Sequence, residues 1–167
     1  MSVDGDLAKA FLAACRARRI TAATAESCTG GMIAALLTDI PGSSAVVDRG
    51  FVTYSNAAKM DMLGVAEATL GVHGAVSRET VLEMAAGALE RSPAGIALAV
   101  TGIAGPDGGS ADKPVGLVWF GVAITGRAAV AERRLFDNRG RDFIRHESVA
   151  AALQIGLAAL ETAGSQP

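Results

Sequence analysis

A strand–turn–helix pattern near the start of the chain constrains the fold more than any other segment. Residues 20–24 read as a short strand and residues 32–37 as a helix, and the seven residues AESCTGG at 25–31 connect them. The two glycines let the backbone bend sharply and approach a ligand closely. The start of the helix leaves free N–H groups and a partial positive charge, which suit an anion or a developing oxyanion. This segment therefore predicts an anion-accepting turn.

Ser27 stands at the mouth of this turn, and its position allows two interpretations. Its hydroxyl is a candidate nucleophile, or its side chain caps the helix that follows. Because Ser and Thr are preferred N-cap residues, the spacing alone favours the cap. Cys28 is a competing nucleophile at a helix start, but without a His partner it is better interpreted as a small buried side chain.

Composition and charge exclude several classes of function. Half of the 167 residues are apolar but only 4% are aromatic, so aliphatic side chains must fill the core of one domain spanning residues 1–167. The net charge is −2 and no basic stripe is present, which argues against nucleic acid as a partner. The longest uncharged runs, 92–106 and 114–126, are shorter than the roughly 18 residues of a membrane span.

The cysteines and the N-terminal charges indicate a compartment. Cys15 and Cys28 form no disulfide or metal pattern by spacing, so free thiols in a reducing environment are expected. Asp4 and Asp6 make the N-terminus unlike a signal peptide. No set of His, Cys and carboxylate residues has metal-ligand spacing. We expect a soluble cytoplasmic protein without a membrane segment, a metal or a cofactor.

Helical and extended patterns alternate along most of the chain. Ser55 and Ser77 are natural N-caps, and His73 is predicted in a turn between two helices. The last two strands join near Gly126 as a hairpin, and a final helix is predicted from Arg141 to Ala163. Strands are predicted near residues 20–25, 45–54, 95–100, 116–124 and 129–136. This order predicts a three-layer α/β/α sandwich on a mixed, mostly parallel sheet of about five strands.

Lys59 is the best candidate for a base that activates Ser27. His73 and His146 are better interpreted as surface residues than as catalytic bases. Burial and a position near a helix start both lower the pKa of a lysine, as a base near neutral pH requires. The alternative, an exposed helix lysine, is favoured by spacing alone. Tyr54 either relays a proton or is an ordinary strand aromatic.

Several of these residues are predicted to share one pocket. Ser27, Tyr54 with Lys59, and a glycine-rich loop that begins at Thr101 all follow predicted strands. Parallel α/β sheets bind ligands at the carboxyl ends of their strands. The three segments are therefore expected to meet at one edge of the sheet.

The glycine-rich loop, residues 101–116, is a candidate phosphate site. Its five glycines and many backbone N–H groups suit a phosphate nest, although it has neither a Walker nor a GxGxxG motif. Arg139, Arg141 and Arg145 follow later in the chain. They either clamp a phosphate or form a solvated helix start.

Five blocks of sequence carry a resemblance to a known family. They are AESCTGG (25–31), GFVTYSNAAK (50–59), GAVS (74–77), AVTGIAGP (99–106) and KPVG (113–116). In this order they strongly resemble the CinA C-terminal domain family, over about residues 7–160. The family's active members are nicotinamide-nucleotide amidohydrolases. They convert the carboxamide of nicotinamide mononucleotide to nicotinic acid mononucleotide and ammonia, in pyridine-nucleotide salvage.

The resemblance also implies roles for individual residues. It implies a Ser-Lys type serine amidohydrolase with Ser27 as the nucleophile, Lys59 as the base and Tyr54 assisting, without a metal or cofactor. Oxyanion donors are expected near Thr29 to Gly31. The substrate-binding residues implied are Thr29, Gly30, Gly31, Thr101, Gly102, Ile103, Ala104, Gly105 and Arg145.

Two other functions remain open at this point. One is a catalytically idle nucleotide-binding module linked to competence or the DNA-damage response, which would keep the glycine loop but not need Ser27. The other is an assembly scaffold that binds no small molecule. The alanine-rich helices suit a homo-oligomer, and a dimer is expected.

Overall fold

Six α-helices and five strands make up residues 3–164, the part of the chain that the computed structural model describes. A short 3₁₀ turn, Ser43–Ala45, precedes the second strand. The strands are β1 Ala22–Glu26, β2 Val47–Val52, β3 Ile96–Gly102, β4 Leu117–Ile124 and β5 Val130–Leu135. The helices are α1 Val3–Ala17, α2 Met32–Thr38, α3 Asn56–Leu63, α4 Glu67–His73, α5 Arg78–Glu90 and α6 Arg141–Ala163.

The strands form one mixed sheet in the order β2-β1-β3-β4-β5. β1 pairs in parallel with both β2 and β3, whereas β4 pairs antiparallel with β3 and β5. Four of the five strands therefore run in one direction, which confirms the predicted mixed, mostly parallel sheet. The carboxyl ends of β1, β2 and β3 lie side by side at one edge.

Helices cover both faces of the sheet, which confirms the three-layer α/β/α sandwich. Alternate residues of β3 divide between two cores, because successive strand side chains point to opposite faces. Ile96, Leu98 and Val100 pack with α1, α2 and α6. Ala97 and Ala99 face α3, α4 and α5. The small side chains on this second face let α5 lie close to the sheet, which suits a chain poor in aromatic residues.

Two local predictions are wrong. The sequence patterns did not predict α4. His73 is the last residue of this helix and does not lie in a turn. Ala66 occupies the N-cap of α4 without a side-chain hydrogen bond, so no capping signal marks its start. Thr101 and Gly102 belong to β3 and pair with β4, so the irregular loop begins two residues later than predicted.

The two edge strands, β2 and β5, both carry mainly exposed or half-buried side chains. Such edges expose polar backbone groups that a central strand uses for pairing.

Within residues 3–164, no helix combines the length and the apolar character that a membrane crossing requires.

Candidate active site

Ser27 and Lys59 meet in a buried polar pair. Nζ of Lys59 lies 3.0 Å from Oγ of Ser27 and donates a hydrogen bond to the Thr53 carbonyl at 2.8 Å. Lys59 is 1% exposed and Ser27 is 9% exposed. A nucleophile and a base in hydrogen-bond contact are the arrangement that covalent catalysis by serine requires.

Sheet hydrogen bonds hold Ser27 at the end of β1. The Ser27 N–H donates to the Val100 carbonyl at 3.0 Å, and the Thr53 N–H donates to the Glu26 carbonyl at 2.9 Å. The pairing of β1 with both neighbours thus continues to Ser27 itself. Lys59 comes from the first turn of α3, where the Ser55 side chain accepts the Ala58 N–H at 3.0 Å and caps the helix.

Burial favours the neutral form of Lys59 more than exposure to water would. Removal of the side chain from water lowers the pKa of Lys59 from its ordinary value of 10.5, because the charged form loses hydration. A neutral amine has two N–H donors and one lone pair. With the Thr53 carbonyl on one donor, the lone pair of a neutral Lys59 lies within reach of the Ser27 hydroxyl.

Cys28 lies beside this pair but is a poor nucleophile. Its side chain is 6% exposed, and burial raises the pKa of the Cys28 thiol to about 12. The thiol therefore stays protonated at neutral pH, although only the thiolate is reactive. Cys28 is thus a small buried side chain, as predicted. Cys15 is also buried and forms no disulfide.

A cavity of about 200 Å³ opens onto the Ser27–Lys59 pair. It lies at the carboxyl edge of β1, β2 and β3, where the sequence predicted a shared pocket. The Thr101 hydroxyl donates to the Ala75 carbonyl at 2.8 Å and so ties β3 to the segment before α5. The lining residues are Ser27, Cys28, Tyr54, Lys59, Ala75, Val76, Thr101, Gly102, Ala104 and Arg141.

Tyr54 lines the cavity and is largely exposed to solvent. The side chain is 62% exposed, and its hydroxyl accepts a hydrogen bond from Arg141 at 2.9 Å. Arg141 also donates to the Gly105 carbonyl at 3.0 Å, so it bridges two segments at the cavity. Within residues 3–164, no hydrogen bond joins Tyr54 to Lys59. The assisting role of Tyr54 stays a prediction.

The helix-cap interpretation of Ser27 is wrong. Gly31 occupies the N-cap position of α2 and makes no side-chain hydrogen bond. The carboxylate of Glu26 instead accepts N–H groups at the start of α2, from Gly31 at 3.1 Å, Ile33 at 3.0 Å and Ala34 at 2.9 Å. Sequence reasoning missed Glu26. An acidic residue shortly before a helix start was the available signal.

These bonds restrict which N–H groups are available to an oxyanion. The Gly30 N–H donates to the Ser27 carbonyl at 3.0 Å, and the Gly31 N–H is used by Glu26. Within residues 27–31, the N–H groups of Cys28 and Thr29 donate to no other residue that the structure describes. The expected oxyanion donors at Gly30 and Gly31 are therefore already engaged.

Arg145 lies against the same turn and outside the cavity lining. Its Nε donates to the Cys28 carbonyl at 3.1 Å, and a terminal nitrogen donates to the Thr29 carbonyl at 3.2 Å. The substrate contact of Arg145 stays a prediction. The other predicted binding residues outside the lining are Thr29, Gly30, Gly31, Ile103 and Gly105.

A second groove, of about 420 Å³, adjoins the cavity and shares Val76 with it. Trp119, which is half-buried, lines this groove together with Lys113 and Arg133. Lys113 donates to the His73 carbonyl at 2.6 Å and so holds the segment before Val76.

Comparison with known proteins gives concordant matches. The family model described as CinA C-terminal domain matches residues 4–160. Nicotinamide-nucleotide amidohydrolase PncC of Escherichia coli K12 is 54% identical over 141 residues, which cover 84% of this chain and 85% of that protein. The crystal structure of the competence/damage inducible protein CihA from Agrobacterium tumefaciens is similar with a TM-score of 0.91 and 51% identity, covering 96% of this chain and 99% of that one.

Proposed function

This chain belongs to the CinA C-terminal domain family, and we propose that it is a nicotinamide-nucleotide amidohydrolase acting on nicotinamide mononucleotide. The products are nicotinic acid mononucleotide and ammonia, which places the reaction in pyridine-nucleotide salvage. The observation that carries the proposal is the 3.0 Å contact between Ser27 Oγ and Lys59 Nζ at the base of a cavity. The name of the relative that is 54% identical supports the substrate.

The proposed reaction uses Ser27 and Lys59 twice. Ser27 Oγ attacks the carboxamide carbon while neutral Lys59 takes the hydroxyl proton. The tetrahedral intermediate collapses as Lys59 returns this proton to the leaving ammonia, which leaves an ester on Ser27. Water then attacks the ester with Lys59 again as the base, and the carboxylate product leaves as Ser27 is protonated.

The N–H groups of Cys28 and Thr29 are the proposed oxyanion donors. They belong to the turn that holds Ser27, and they are not used by other described residues. A backbone donor aimed at the developing oxyanion contributes roughly 3–4 kcal/mol to transition-state stabilisation in comparable sites. This assignment replaces Gly30 and Gly31 of the sequence prediction.

Arg141 is the proposed phosphate ligand. It lines the cavity and is exposed, so its guanidinium can meet a phosphate that extends from the bound nicotinamide ring. The segment from Thr101 to Gly105 lies on the same side, because the Gly105 carbonyl accepts from Arg141. Tyr54 then helps to place the guanidinium.

Ammonia release tests the proposal directly. The wild-type protein and Ser27→Ala are incubated with nicotinamide mononucleotide after removal of metals, and both ammonia and nicotinic acid mononucleotide are measured. We expect release by the wild type alone. Release by both proteins would eliminate Ser27 as the nucleophile. Ligand binding by folded wild type without turnover would instead identify an idle nucleotide-binding module.

A further inference from the structure

We propose that Glu26 and Arg145 form a clamp that positions Ser27, with neither residue touching the substrate. The clamp is defined as the carboxylate of Glu26 and the guanidinium of Arg145 acting on the turn of residues 27–31. It rests on the proposed function, in which Ser27 is the nucleophile. It also gives Arg145 a different role from the substrate contact that the family resemblance implies.

Glu26 holds the N–H groups of the turn and of the helix that follows. The alternation along β1 turns its side chain toward the face covered by α2, and the residue is 0% exposed. Both carboxylate oxygens are used, because Oε2 accepts from Gly31 and Ile33 while Oε1 accepts from Ala34. The next residue along the chain is Ser27. A shift of this carboxylate therefore shifts the turn that carries the nucleophile.

Arg145 holds the carbonyl groups of the same turn. It donates to the carbonyls of Cys28 and Thr29, and its terminal nitrogen also lies against Gly30. Gly30 has a φ of +59°, a conformation in which a side chain is disfavoured. The guanidinium therefore packs on bare backbone. Its fork geometry suits two neighbouring carbonyls, which a lysine ammonium cannot contact in the same way.

The two charged groups also limit what the turn can bind. The carboxylate already satisfies N–H groups at the start of α2, so this helix start is closed to a substrate phosphate. The N–H groups of Cys28 and Thr29 stay available beside Ser27. The clamp thus fixes the nucleophile and its proposed oxyanion donors as one rigid unit.

The test measures the reactivity of Ser27 without relying on turnover. A small fluorophosphonate forms an Oγ–P bond with Ser27, loses fluoride and passes the hydroxyl proton to Lys59. The rate of labelling is measured by mass spectrometry for the wild type and for Glu26→Gln, whose amide nitrogen cannot accept a backbone N–H. We expect labelling to slow by about 10²-fold, the usual effect of a small misplacement of a reacting group. Glu147→Gln, an exposed carboxylate-to-amide change on α6, is the matched control and should label at the wild-type rate.

Arg145→Lys provides an independent variant of the clamp. We expect labelling to slow by at least about tenfold, which corresponds to one lost charge-assisted hydrogen bond. With nicotinamide mononucleotide, kcat should fall by a similar factor while KM changes by less than about twofold. Arg127→Lys, at a surface site where the guanidinium also donates to a carbonyl, is the control.

Three results would overturn the clamp. The first is that Glu26→Gln is folded and is labelled at the wild-type rate. The second is a raised KM with unchanged kcat in Arg145→Lys, which would make Arg145 a substrate contact. The third is loss of the folded circular dichroism signal in both variants, which would make the two side chains necessary for folding. Labelled wild type that releases no ammonia would contradict the proposed substrate while leaving the slower labelling of the variants as support for the clamp.

Discussion

Lys59 is almost completely buried, and the groups that contact its Nζ carry no charge. Its Nζ contacts a hydroxyl and a carbonyl, and no carboxylate within residues 3–164 forms an ion pair with it. The desolvation cost of the charged form is therefore not offset by a counter-ion. Burial without a counter-ion therefore lowers the pKa of Lys59 below its ordinary value.

The pH dependence of activity should report this ionisation. We expect kcat/KM to rise with pH through one ionisation whose pKa lies below 10.5, and then to level off, because only neutral Lys59 accepts the Ser27 proton. Initial rates of ammonia release across a pH series provide the measurement. Lys59→Met should abolish turnover, whereas Lys9→Met, at an exposed position of α1, should reproduce the wild-type profile. A flat profile, or an ionisation at 10.5 or above, would contradict this role.

Arg141 should discriminate between substrates with and without a phosphate. We expect Arg141→Met to lower kcat/KM for nicotinamide mononucleotide by roughly 10- to 100-fold, the effect of losing a charge-assisted contact. The corresponding nucleoside lacks the phosphate, so its kcat/KM should change by less than about threefold. Steady-state kinetics with both compounds give the comparison, and Arg127→Met serves as the control. Equal losses for the two compounds would remove Arg141 from phosphate binding.

At the scale of elements, the position of α3 depends on α5. A Cβ on Gly87 of α5 would overlap the backbone carbonyl of Leu63, at the end of α3. The same α3 carries Lys59 in its first turn. Close helix contact therefore helps to set where Lys59 lies relative to Ser27.

Gly87→Ala should thus weaken both stability and catalysis. We expect the free energy of unfolding to fall by about 1–3 kcal/mol, because the backbone of one helix must move to admit the methyl group. A displaced α3 should also lower kcat. Gly71→Ala in α4 is the matched control, since a Cβ there meets no atom within 4 Å. That change should raise the free energy of unfolding by about 0.5–1 kcal/mol. Urea unfolding gives the free energy of unfolding of both variants, and ammonia release gives their kcat. Equal values for the two variants would contradict a role of Gly87 in the packing of α3 on α5.

The elements differ in how far the sequence could predict them. α6 has the predicted bounds, and the caps at Ser55 and Ser77 appear as expected, because local periodicity and side-chain caps mark these helices. α4 was missed because it is short and lacks a side-chain cap. Thr101 and Gly102 were predicted in a loop, but pairing with β4 extends β3 over both residues. A local sequence pattern contains no information on pairing with a distant strand.

The candidate site shows the same division between local and distant information. Ser27 and Lys59 are found from a turn motif and a helix start, and the family resemblance links them. The contact of Tyr54 with Arg141 joins residues 87 positions apart, so spacing could not indicate it. Glu26 was missed because a strand residue does not reveal which helix its side chain will meet.

At the scale of the whole molecule, the buried Lys59 should also affect stability. In the unfolded chain Lys59 has its ordinary pKa of 10.5, and folding lowers it. The unfolded chain therefore binds more protons between the two pKa values, so the free energy of unfolding rises with pH across that window. The penalty is complete below the folded pKa and disappears as pH approaches 10.5.

Comparison with a variant isolates this contribution. The free energy of unfolding of Lys59→Met minus that of the wild type should decrease as pH rises from neutral toward 10.5, because methionine binds no proton. Urea unfolding at several pH values gives both curves. A difference that does not change with pH would show that Lys59 titrates alike in the folded and unfolded chains.

The residues of the candidate site come from most of the chain length. Ser27 and Tyr54 follow strands, Thr101 lies near the end of β3, and Lys59 and Arg141 lie in the first turns of two helices. The sheet edge brings these residues together. Three broader expectations, the single domain over residues 1–167, the dimer and the cytoplasmic location, stay predictions.

Trp119, in the groove beside the cavity, is a natural fluorescent probe of ligand binding. Trp119 is the only tryptophan of the chain, so intrinsic fluorescence excited at the red edge of indole absorption arises from one place. That indole lines a groove that shares Val76 with the cavity at Ser27 and Lys59. We expect a ligand that moves Val76 to change the surroundings of the indole and therefore its emission. Titration of Ser27→Ala can then follow binding without a label and without turnover.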